Sequence, residues 1–225
     1  MRDSVPRVAV VDYGVGNLFS VAQACMAAGL RPIVTSDPDV LRRSDGIILP
    51  GIGAFGDAMA ALAGLNLVEP LRRVPAEGIP LVGICLGMQL LMDRSSEFGS
   101  HEGLGLVPGS VERLAPAAQP IKVPQVGWNG IHRPDRGSGD DAWAASPLHG
   151  LADGEPVYFV HSYIVIPARE SVVLAESVYG GVRFCSALTA DGIVGFQFHP
   201  ERSGSAGLRI YRNLAAVFSA ATSRK

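Results

Sequence analysis

The chain of 225 residues has few of the features that membrane, secreted or nucleic-acid-binding proteins require. The apolar run Val8–Val11 near the N-terminus is too short for a signal peptide or a membrane span. The 3 cysteines are odd in number and form no C-x-x-C pair, which argues against a disulfide framework and a zinc site. The 19 basic and 21 acidic side chains leave a net charge of -2, so no overall field attracts a polyanion. We therefore expect a cytoplasmic protein with no nucleic-acid partner, no membrane association, and no metal or organic cofactor.

Hydrophobic residues make up 48% of the chain and charged residues 18%, which is typical of a compact globular protein. We expect one domain over residues 1–225, because α/β domains of this size are common. Short apolar runs followed by helical patterns predict an α/β fold with a mostly parallel central sheet flanked by helices. The predicted strands of this part are Val8–Val11, Gly46–Leu49 and Ile79–Ile84, and the predicted helices are Leu18–Ala28, Asp57–Leu65 and Leu86–Asp93.

After Gly103 the pattern changes to shorter apolar runs, which predict an additional, partly antiparallel sheet region. Residues 133–147 are rich in Asp, Gly, Ser and Pro, and we expect an exposed loop there. The chain closes with a predicted amphipathic helix at Ser205–Phe218. The predicted strands of this second part are Ile121–Val126, Val157–Val160, Val172–Ala175, Arg183–Ala187 and Ile193–Phe198.

The segment Gly83-Ile84-Cys85-Leu86-Gly87 follows an apolar strand and opens a predicted helix. It has the pattern G-x-nucleophile-x-G, with Cys in place of Ser. The flanking glycines allow a tight turn, and the helix N-terminus favours the thiolate over the thiol. The alternative is a buried cysteine that acts as a small apolar residue, which we expect for Cys25 and Cys185. The glycine frame favours a nucleophile at Cys85.

A nucleophilic cysteine needs a base, and Phe198-His199-Pro200-Glu201 supplies one. Residues two apart in an extended segment share a face, so Glu201 is expected beside His199, where it can orient the imidazole. Pro200 biases His199 toward an extended backbone. Without Cys85 the pair would be interpreted as an ordinary surface His and Glu. Together the three residues predict a catalytic triad.

A thiol hydrolase also needs an oxyanion hole for its tetrahedral intermediate. The amide of Leu86, one residue after the nucleophile, is the expected first donor. The strand end Leu49–Gly53 has few side-chain atoms and offers a second donor, with Gly51 and Ile52 as the candidates. An ordinary turn between a strand and a helix is nearly as good an interpretation of this stretch alone.

Three motifs, in this order, resemble the class I, triad-type glutamine amidotransferases: P-G-x-G at 50–53, G-x-C-x-G-M-Q at 83–89 and F-H-P-E at 198–201. The resemblance implies the α/β fold of that superfamily. Further blocks resemble the glutaminase subunits of imidazole glycerol phosphate synthase over nearly the full length, and the sibling enzymes differ there. These blocks are Asp12–Asn17, Gly53–Met59, Val126–Asn129 and Tyr158–Tyr163.

The resemblance implies that Cys85 attacks the side-chain amide of L-glutamine, giving a glutamyl thioester. It implies that His199 protonates the departing ammonia and then activates water, while Glu201 holds His199. It further implies substrate contacts from Gln89, Glu97, Ser162 and Tyr163. Without the resemblance, Gln89 would be interpreted as a half-buried polar helix residue and Glu97 as a solvated acid.

In this family the ammonia enters a (β/α)8-barrel cyclase subunit, bound as a heterodimer, in histidine biosynthesis. The cyclase makes imidazole glycerol phosphate and an aminoimidazole carboxamide ribotide from a phosphoribulosyl-formimino-carboxamide ribotide. The resemblance implies low glutaminase activity until the cyclase binds its ligand, through a rearrangement at Pro50–Gly53. The residues expected at the subunit interface are Asn17, Trp128, Tyr158 and Arg202, the last standing where Lys is common.

Several alternatives remain at the level of sequence. A dinucleotide site at Gly14-Val15-Gly16 is rejected, because Phe19 replaces the third glycine of the fingerprint. The glutaminase of another biosynthetic synthase would share the triad motifs. A non-catalytic regulatory protein could use the same fold, although the intact triad argues against it. Cysteine peptidases use related folds, and the H-P-E pair together with Met88-Gln89 favours glutamine over a peptide.

Overall fold

The computed structural model describes residues 5–115, 121–135 and 143–222. These residues form strands and α-helices that are numbered here in chain order. They are β1 (Arg7–Val11), α1 (Leu18–Ala27), β2 (Arg31–Thr35), α2 (Pro38–Arg42), β3 (Gly46–Gly51), α3 (Phe55–Gly64), α4 (Val68–Arg73), β4 (Leu81–Cys85), α5 (Leu86–Leu90), β5 (Arg94–Ser95), β6 (His101–Glu102), β7 (Gly109–Arg113), β8 (Gln125–Ile131), β9 (Glu155–His161), β10 (Tyr163–Pro167), β11 (Val173–Tyr179), β12 (Val182–Ala190), β13 (Ile193–Phe196) and α6 (Gly204–Thr222).

The main sheet has the strand order β11-β12-β13-β4-β3-β1-β2. The strands from β13 to β2 are parallel to their neighbours, whereas β11 and β12 add an antiparallel edge. β3 and β4 are buried along their whole length, which explains their continuous apolar sequences. The predicted mostly parallel sheet with an antiparallel addition is confirmed.

Alternate residues of the parallel strands enter two hydrophobic clusters, one on each face of the sheet. Val8, Val10 and Ile48 belong to the cluster that includes α6, whereas Ala9 and Ile47 belong to the cluster that includes α3 and α5. This period of two places helices against both faces of the sheet. None of the helices in the described ranges is both long and apolar enough to cross a membrane.

The first predicted helix is confirmed as α1, one residue shorter than expected at its C-terminus. The Asn17 side chain accepts a hydrogen bond from the Ser20 amide at 3.2 Å and so caps the helix, as predicted. Gly29 follows the helix at φ 80°, a conformation that glycine adopts without strain. The elements β2, α2 and α4 were not predicted.

Helix α5 ends at Leu90, earlier than the predicted Asp93. The reason is tertiary, because the carbonyl groups that would continue the helix accept hydrogen bonds from another segment. The Leu90 carbonyl accepts the Leu104 amide at 2.8 Å, and the Leu91 carbonyl accepts the Leu106 amide at 2.9 Å. The Met92 carbonyl accepts the Gly105 amide at 3.0 Å. The helix prediction was therefore wrong beyond Leu90.

Two smaller sheets follow, with strand orders β10-β7-β5-β6 and β8-β9. The predicted strand Ile121–Val126 was wrong in its bounds, because β8 begins at Gln125. Pro124 precedes that residue, and a proline has no amide hydrogen with which to extend the ladder. The short strands β5, β6, β7 and β10 were not predicted.

The loop predicted at 133–147 lies partly outside the described residues, which resume at Trp143. Its exposure was wrong at Trp143, which is fully buried. The indole nitrogen donates a hydrogen bond to the Leu174 carbonyl at 2.8 Å, and the guanidinium of Arg133 lies 4.2 Å from the ring centre. This end of the loop is therefore anchored in the core.

Candidate active site

Cys85 lies at the junction of β4 and α5 with φ 54°, a left-handed conformation that is rare for residues other than glycine. Both flanking glycines are required by space. A Cβ on Gly87 would lie 1.8 Å from the Leu49 carbonyl oxygen, and a Cβ on Gly83 would lie 2.7 Å from the Gly87 carbonyl oxygen. The predicted tight turn is present, and close backbone contacts on both sides hold it.

The Cys85 side chain is largely buried but lines a cavity. Its sulfur lies 3.7 Å from the Val160 carbonyl oxygen and 3.9 Å from Nε2 of Gln197. Helix α5 has only 5 residues, so its dipole stabilises a thiolate less than a longer helix would. Nε2 of Gln197 is a further donor toward the sulfur, whereas the Val160 carbonyl can only accept a hydrogen bond from the protonated thiol.

His199 and Glu201 are in contact, as predicted. Nδ1 of His199 lies 2.7 Å from Oε1 of Glu201, and the two side chains are 5% and 2% exposed. The backbone differs from the expected extended segment, because residues Pro200–Arg202 form a single 3₁₀ turn. The His199 amide donates to the Tyr158 carbonyl at 2.9 Å. The ring is therefore fixed by its backbone on one side and its carboxylate on the other.

The charge state of His199 is determined by its neighbours. Burial lowers its pKa, but the negative charges of Cys85 and of the Glu201 carboxylate, which also forms a hydrogen bond with the ring, outweigh this and raise the pKa to about 10. Nε2 of His199 is buried without a partner in hydrogen-bond geometry within the described residues. It is the nitrogen that remains for proton transfer, because Glu201 occupies Nδ1.

The candidate oxyanion donors lie beside the sulfur. Gly51 is in register with Cys85 across β3 and β4, and Leu86 is the first residue of α5, where no helical carbonyl can accept its amide hydrogen. Ile52 is half exposed and lines the cavity. The Tyr13 hydroxyl donates to the Pro50 carbonyl at 2.7 Å and holds this strand end in place.

The cavity next to Cys85 has a volume of about 230 Å³. All four residues that were expected to contact the substrate line it, and these are Gln89, Glu97, Ser162 and Tyr163. Glu97 is buried, with Oε2 accepting the Phe55 amide at 2.6 Å, so it caps α3 across the chain. Its alternative interpretation as a solvated acid was therefore wrong.

The chain matches the glutamine amidotransferase class-I family over residues 9–216. A relative from Aquifex aeolicus, "Imidazole glycerol phosphate synthase subunit HisH", is 46% identical over 92% of this chain and 95% of its own length. The protein of the same name from Syntrophotalea carbinolica is 44% identical over 92% of this chain and 98% of its own. The chain belongs to the HisH subunits of the class-I glutamine amidotransferases.

A solved structure named "Structure of PurLQS from Thermotoga maritima" superposes with a TM-score of 0.70 and 19% identity, over 94% of this chain and 98% of the other. At that identity the likeness shows the fold alone. The fold that the resemblance implied for this amidotransferase is therefore confirmed.

Three of the four residues expected at the subunit interface of this HisH-type chain touch one another. The rings of Trp128 and Tyr158 pack edge to face at 6.1 Å, and the Arg202 guanidinium lies 4.5 Å from the centre of the Tyr158 ring. Trp128 is 59% exposed, so it is not a core residue. Asn17 is exposed at the N-terminus of α1.

Two buried polar residues of the site were not proposed from sequence. His161 lines the cavity, and its Nδ1 lies 3.0 Å from the Tyr163 carbonyl oxygen. Gln197 is fully buried and contacts Cys85. Both stand inside motifs that were recognised, the block 158–163 and the strand before F-H-P-E, but a polar residue in an apolar strand carries no signal for its partner.

Proposed function

We propose that this chain is the glutaminase subunit of an imidazole glycerol phosphate synthase and that its triad is Cys85, His199 and Glu201. It hydrolyses L-glutamine to glutamate and ammonia and passes the ammonia to a cyclase subunit. The observation that carries the proposal is a nucleophile turn whose Cys85 lines a cavity of about 230 Å³, with a buried His199–Glu201 pair close enough for the charge of Cys85 to raise the pKa of His199. Family membership supplies the substrate class.

The first half-reaction forms a thioester. The Cys85 thiolate attacks the side-chain carbonyl carbon of glutamine, and the resulting oxyanion accepts hydrogen bonds from the amide of Leu86 and from Gly51 or Ile52. His199 is protonated at this stage, because its pKa is raised to about 10. The imidazolium gives its proton to the nitrogen, the C–N bond breaks, and ammonia leaves.

The second half-reaction releases glutamate. Once the sulfur is acylated it no longer carries a negative charge, so one cause of the raised pKa of His199 disappears. The neutral imidazole then takes a proton from water, and the hydroxide attacks the thioester carbon. The C–S bond breaks and the thiolate returns. Glu201 keeps the ring in one orientation through both steps.

The cavity lining suits the amino-acid end of glutamine. The Glu97 carboxylate and the side-chain oxygen of Gln89 are acceptors for the substrate ammonium group. The Ser162 hydroxyl and Tyr163 complete the contacts around its carboxylate. Because the Glu97 carboxylate already caps α3, its position is fixed before the substrate arrives.

The partner binds over the mouth of the site. Four of the exposed apolar side chains are those of Phe19, Ile52, Val126 and Trp128. Ile52 also lines the cavity next to Cys85. Aromatic and Arg residues are favoured at protein interfaces, and the Trp128, Tyr158 and Arg202 cluster has that composition. We assign this face to a (β/α)8-barrel cyclase and the complex to the cytoplasm.

The test is the release of glutamate from glutamine by the purified chain, alone and with the cyclase subunit and its ribotide ligand. Strong stimulation that Cys85→Ala abolishes is the expected result. The Cys25→Ala variant is the matched control, since Cys25 is buried and away from the cavity. Full activity without the partner would indicate an independent glutaminase and not a synthase subunit. No activity under any condition would indicate a regulatory protein.

A further inference from the structure

Gln197 is a fully buried residue between β13 and the triad histidine. Its backbone amide donates to the Ser186 carbonyl at 2.9 Å, which fixes the main chain. Its side-chain nitrogen Nε2 lies 3.9 Å from the Cys85 sulfur, and its oxygen Oε1 lies 3.2 Å from Nε2 of Gln89. A carboxamide thus stands between the nucleophile and a residue of the substrate cavity.

The orientation of the Gln197 carboxamide follows from two successive hydrogen bonds, which link it through Gln89 to the Tyr163 backbone carbonyl. The Tyr163 carbonyl oxygen can only accept, and Nε2 of Gln89 lies 3.0 Å from it, so the Gln89 NH2 group must face Tyr163. That NH2 group has a second hydrogen, which is donated to Oε1 of Gln197. The Gln197 NH2 group is therefore the end that faces the Cys85 sulfur.

We propose that Gln197 is a further catalytic residue, which donates an N–H to the Cys85 sulfur and stabilises the thiolate, with Gln89 as the residue that orients it. This proposal rests on the proposed function, because it takes Cys85 as the nucleophile. The N–H favours the thiolate before it attacks and again when the thioester expels it. The complete burial of the Gln197 side chain strengthens such a bond because water does not compete for its N–H.

A neutral donor suits this position better than a cation. The His199 imidazolium must hold its proton until it meets the leaving nitrogen, and a Lys or Arg ammonium or guanidinium beside the sulfur would repel it. A carboxamide adds stabilisation to the thiolate without adding charge. It also accepts the bond from Gln89, which no Lys or Arg side chain can do.

The experiment measures alkylation of Cys85 by iodoacetamide across pH 6 to 9, on the full chain alone and with the cyclase subunit, by mass spectrometry of the peptide that contains Cys85. Gln197→Met removes the donor at similar length, and Gln197→Glu keeps the shape without an N–H. Ser186→Ala is the matched control, because within the described residues this buried side chain makes no hydrogen bond to the sulfur.

We expect alkylation near pH 7 to slow by about tenfold in Gln197→Met, which corresponds to one hydrogen bond to a charged group. In Gln197→Glu it should slow further, because a carboxylate would stand beside the thiolate. Ser186→Ala should match the wild type. Wild-type alkylation in either Gln197 variant, with an unchanged thermal midpoint, would overturn the proposal.

A second readout separates this proposal from the proposed function. Alkylation reports on the thiol without turnover, so it tests the Gln197 contact even if glutamine is not the substrate. With glutamine, Gln197→Met should lower kcat by about tenfold and leave KM within about twofold, because the donor acts on the sulfur and not on bound substrate. A change in KM alone would assign Gln197 to the binding of glutamine and would also overturn the proposal.

Discussion

Two regions near Cys85 each hold a buried histidine, and the two histidines differ in charge. His199 follows β13 and bonds the Glu201 carboxylate, and its pKa is raised to about 10. His161 ends β9 and bonds the Tyr163 carbonyl. Burial lowers the pKa of His161 to about 4; the hydrogen bond to Tyr163 opposes that shift, and the charge of His199 adds to it.

The difference shows that burial alone favours a neutral imidazole and that negatively charged neighbours can overcome this effect. Both rings are almost fully buried. A carboxylate and a thiolate overcome burial and make His199 an acid, whereas burial, together with the adjacent charge of His199, keeps His161 neutral. Of these two histidines, only His199 therefore carries a proton to donate at neutral pH.

The largest expected effect comes from removing the charge next to His199. Glu201→Gln keeps the shape of the side chain but removes its negative charge. The effect of burial, which lowers the pKa of His199, is then less fully compensated, so this pKa falls. We expect kcat for glutamine hydrolysis to drop on the order of 10³-fold, in line with other triads in which the orienting acid is lost. The measurement is steady-state glutamate release in the presence of the cyclase and its ligand.

Replacing the other histidine should change stability and its dependence on pH. The pKa of His161 is about 4 in the folded chain and about 6.5 when unfolded, so the unfolded state binds the extra proton and stability falls as the pH drops from 6.5 to 4. This loss is roughly 3 kcal/mol. His161→Phe should remove it in urea unfolding curves at pH 7 and pH 4.

The exposed His149 supplies the control for that experiment. His149→Gln also removes one histidine, but this side chain is exposed in the folded chain, so the variant controls for the loss of an imidazole as such. An equal loss of stability toward acid in His161→Phe and in the wild type would show that His161 does not cause it.

The raised pKa of His199 also predicts the alkaline limb of catalysis. The acylation step needs a protonated His199, so kcat/KM for glutamine should fall about tenfold per pH unit above about pH 10. In Glu201→Gln the limb should begin at lower pH. Identical limbs in the two proteins would mean that another group controls acylation in this range.

The smallest expected effect concerns the packing around His161. The centroid of the Phe184 ring lies 5.2 Å from that of the His161 ring, and Phe184 helps to exclude water from His161. Phe184→Leu reduces this contact, so the unfolding free energy should fall by about 1 kcal/mol. The pKa of His161 should rise toward its ordinary value. Titration of its ring resonances by NMR measures the shift, and an unchanged pKa would assign the low value to the neighbouring charge alone.

Local spacing predicted the parts of the site that lie close together in the chain. The glycines at 83 and 87 predicted the turn at Cys85, and the structure shows that no larger residue fits there. His199 and Glu201 are two residues apart, so almost any local backbone brings them within reach. Asn17 predicted the start of α1 because a cap bonds the amides that directly follow it.

Contacts between distant segments were beyond the sequence. The end of α5, the burial of Trp143 and the bond from the Phe55 amide to Glu97 depend on partners 13 or more residues away. The contact of Gln197 with Cys85 spans a separation of 112. The strand register of the main sheet brings Gln197 to the nucleophile. Sequence spacing determined which groups of this protein are reactive, because local spacing fixes the backbone of a turn. The tertiary structure decided the neighbours of these groups, because charges and hydrogen bonds act through space between distant segments.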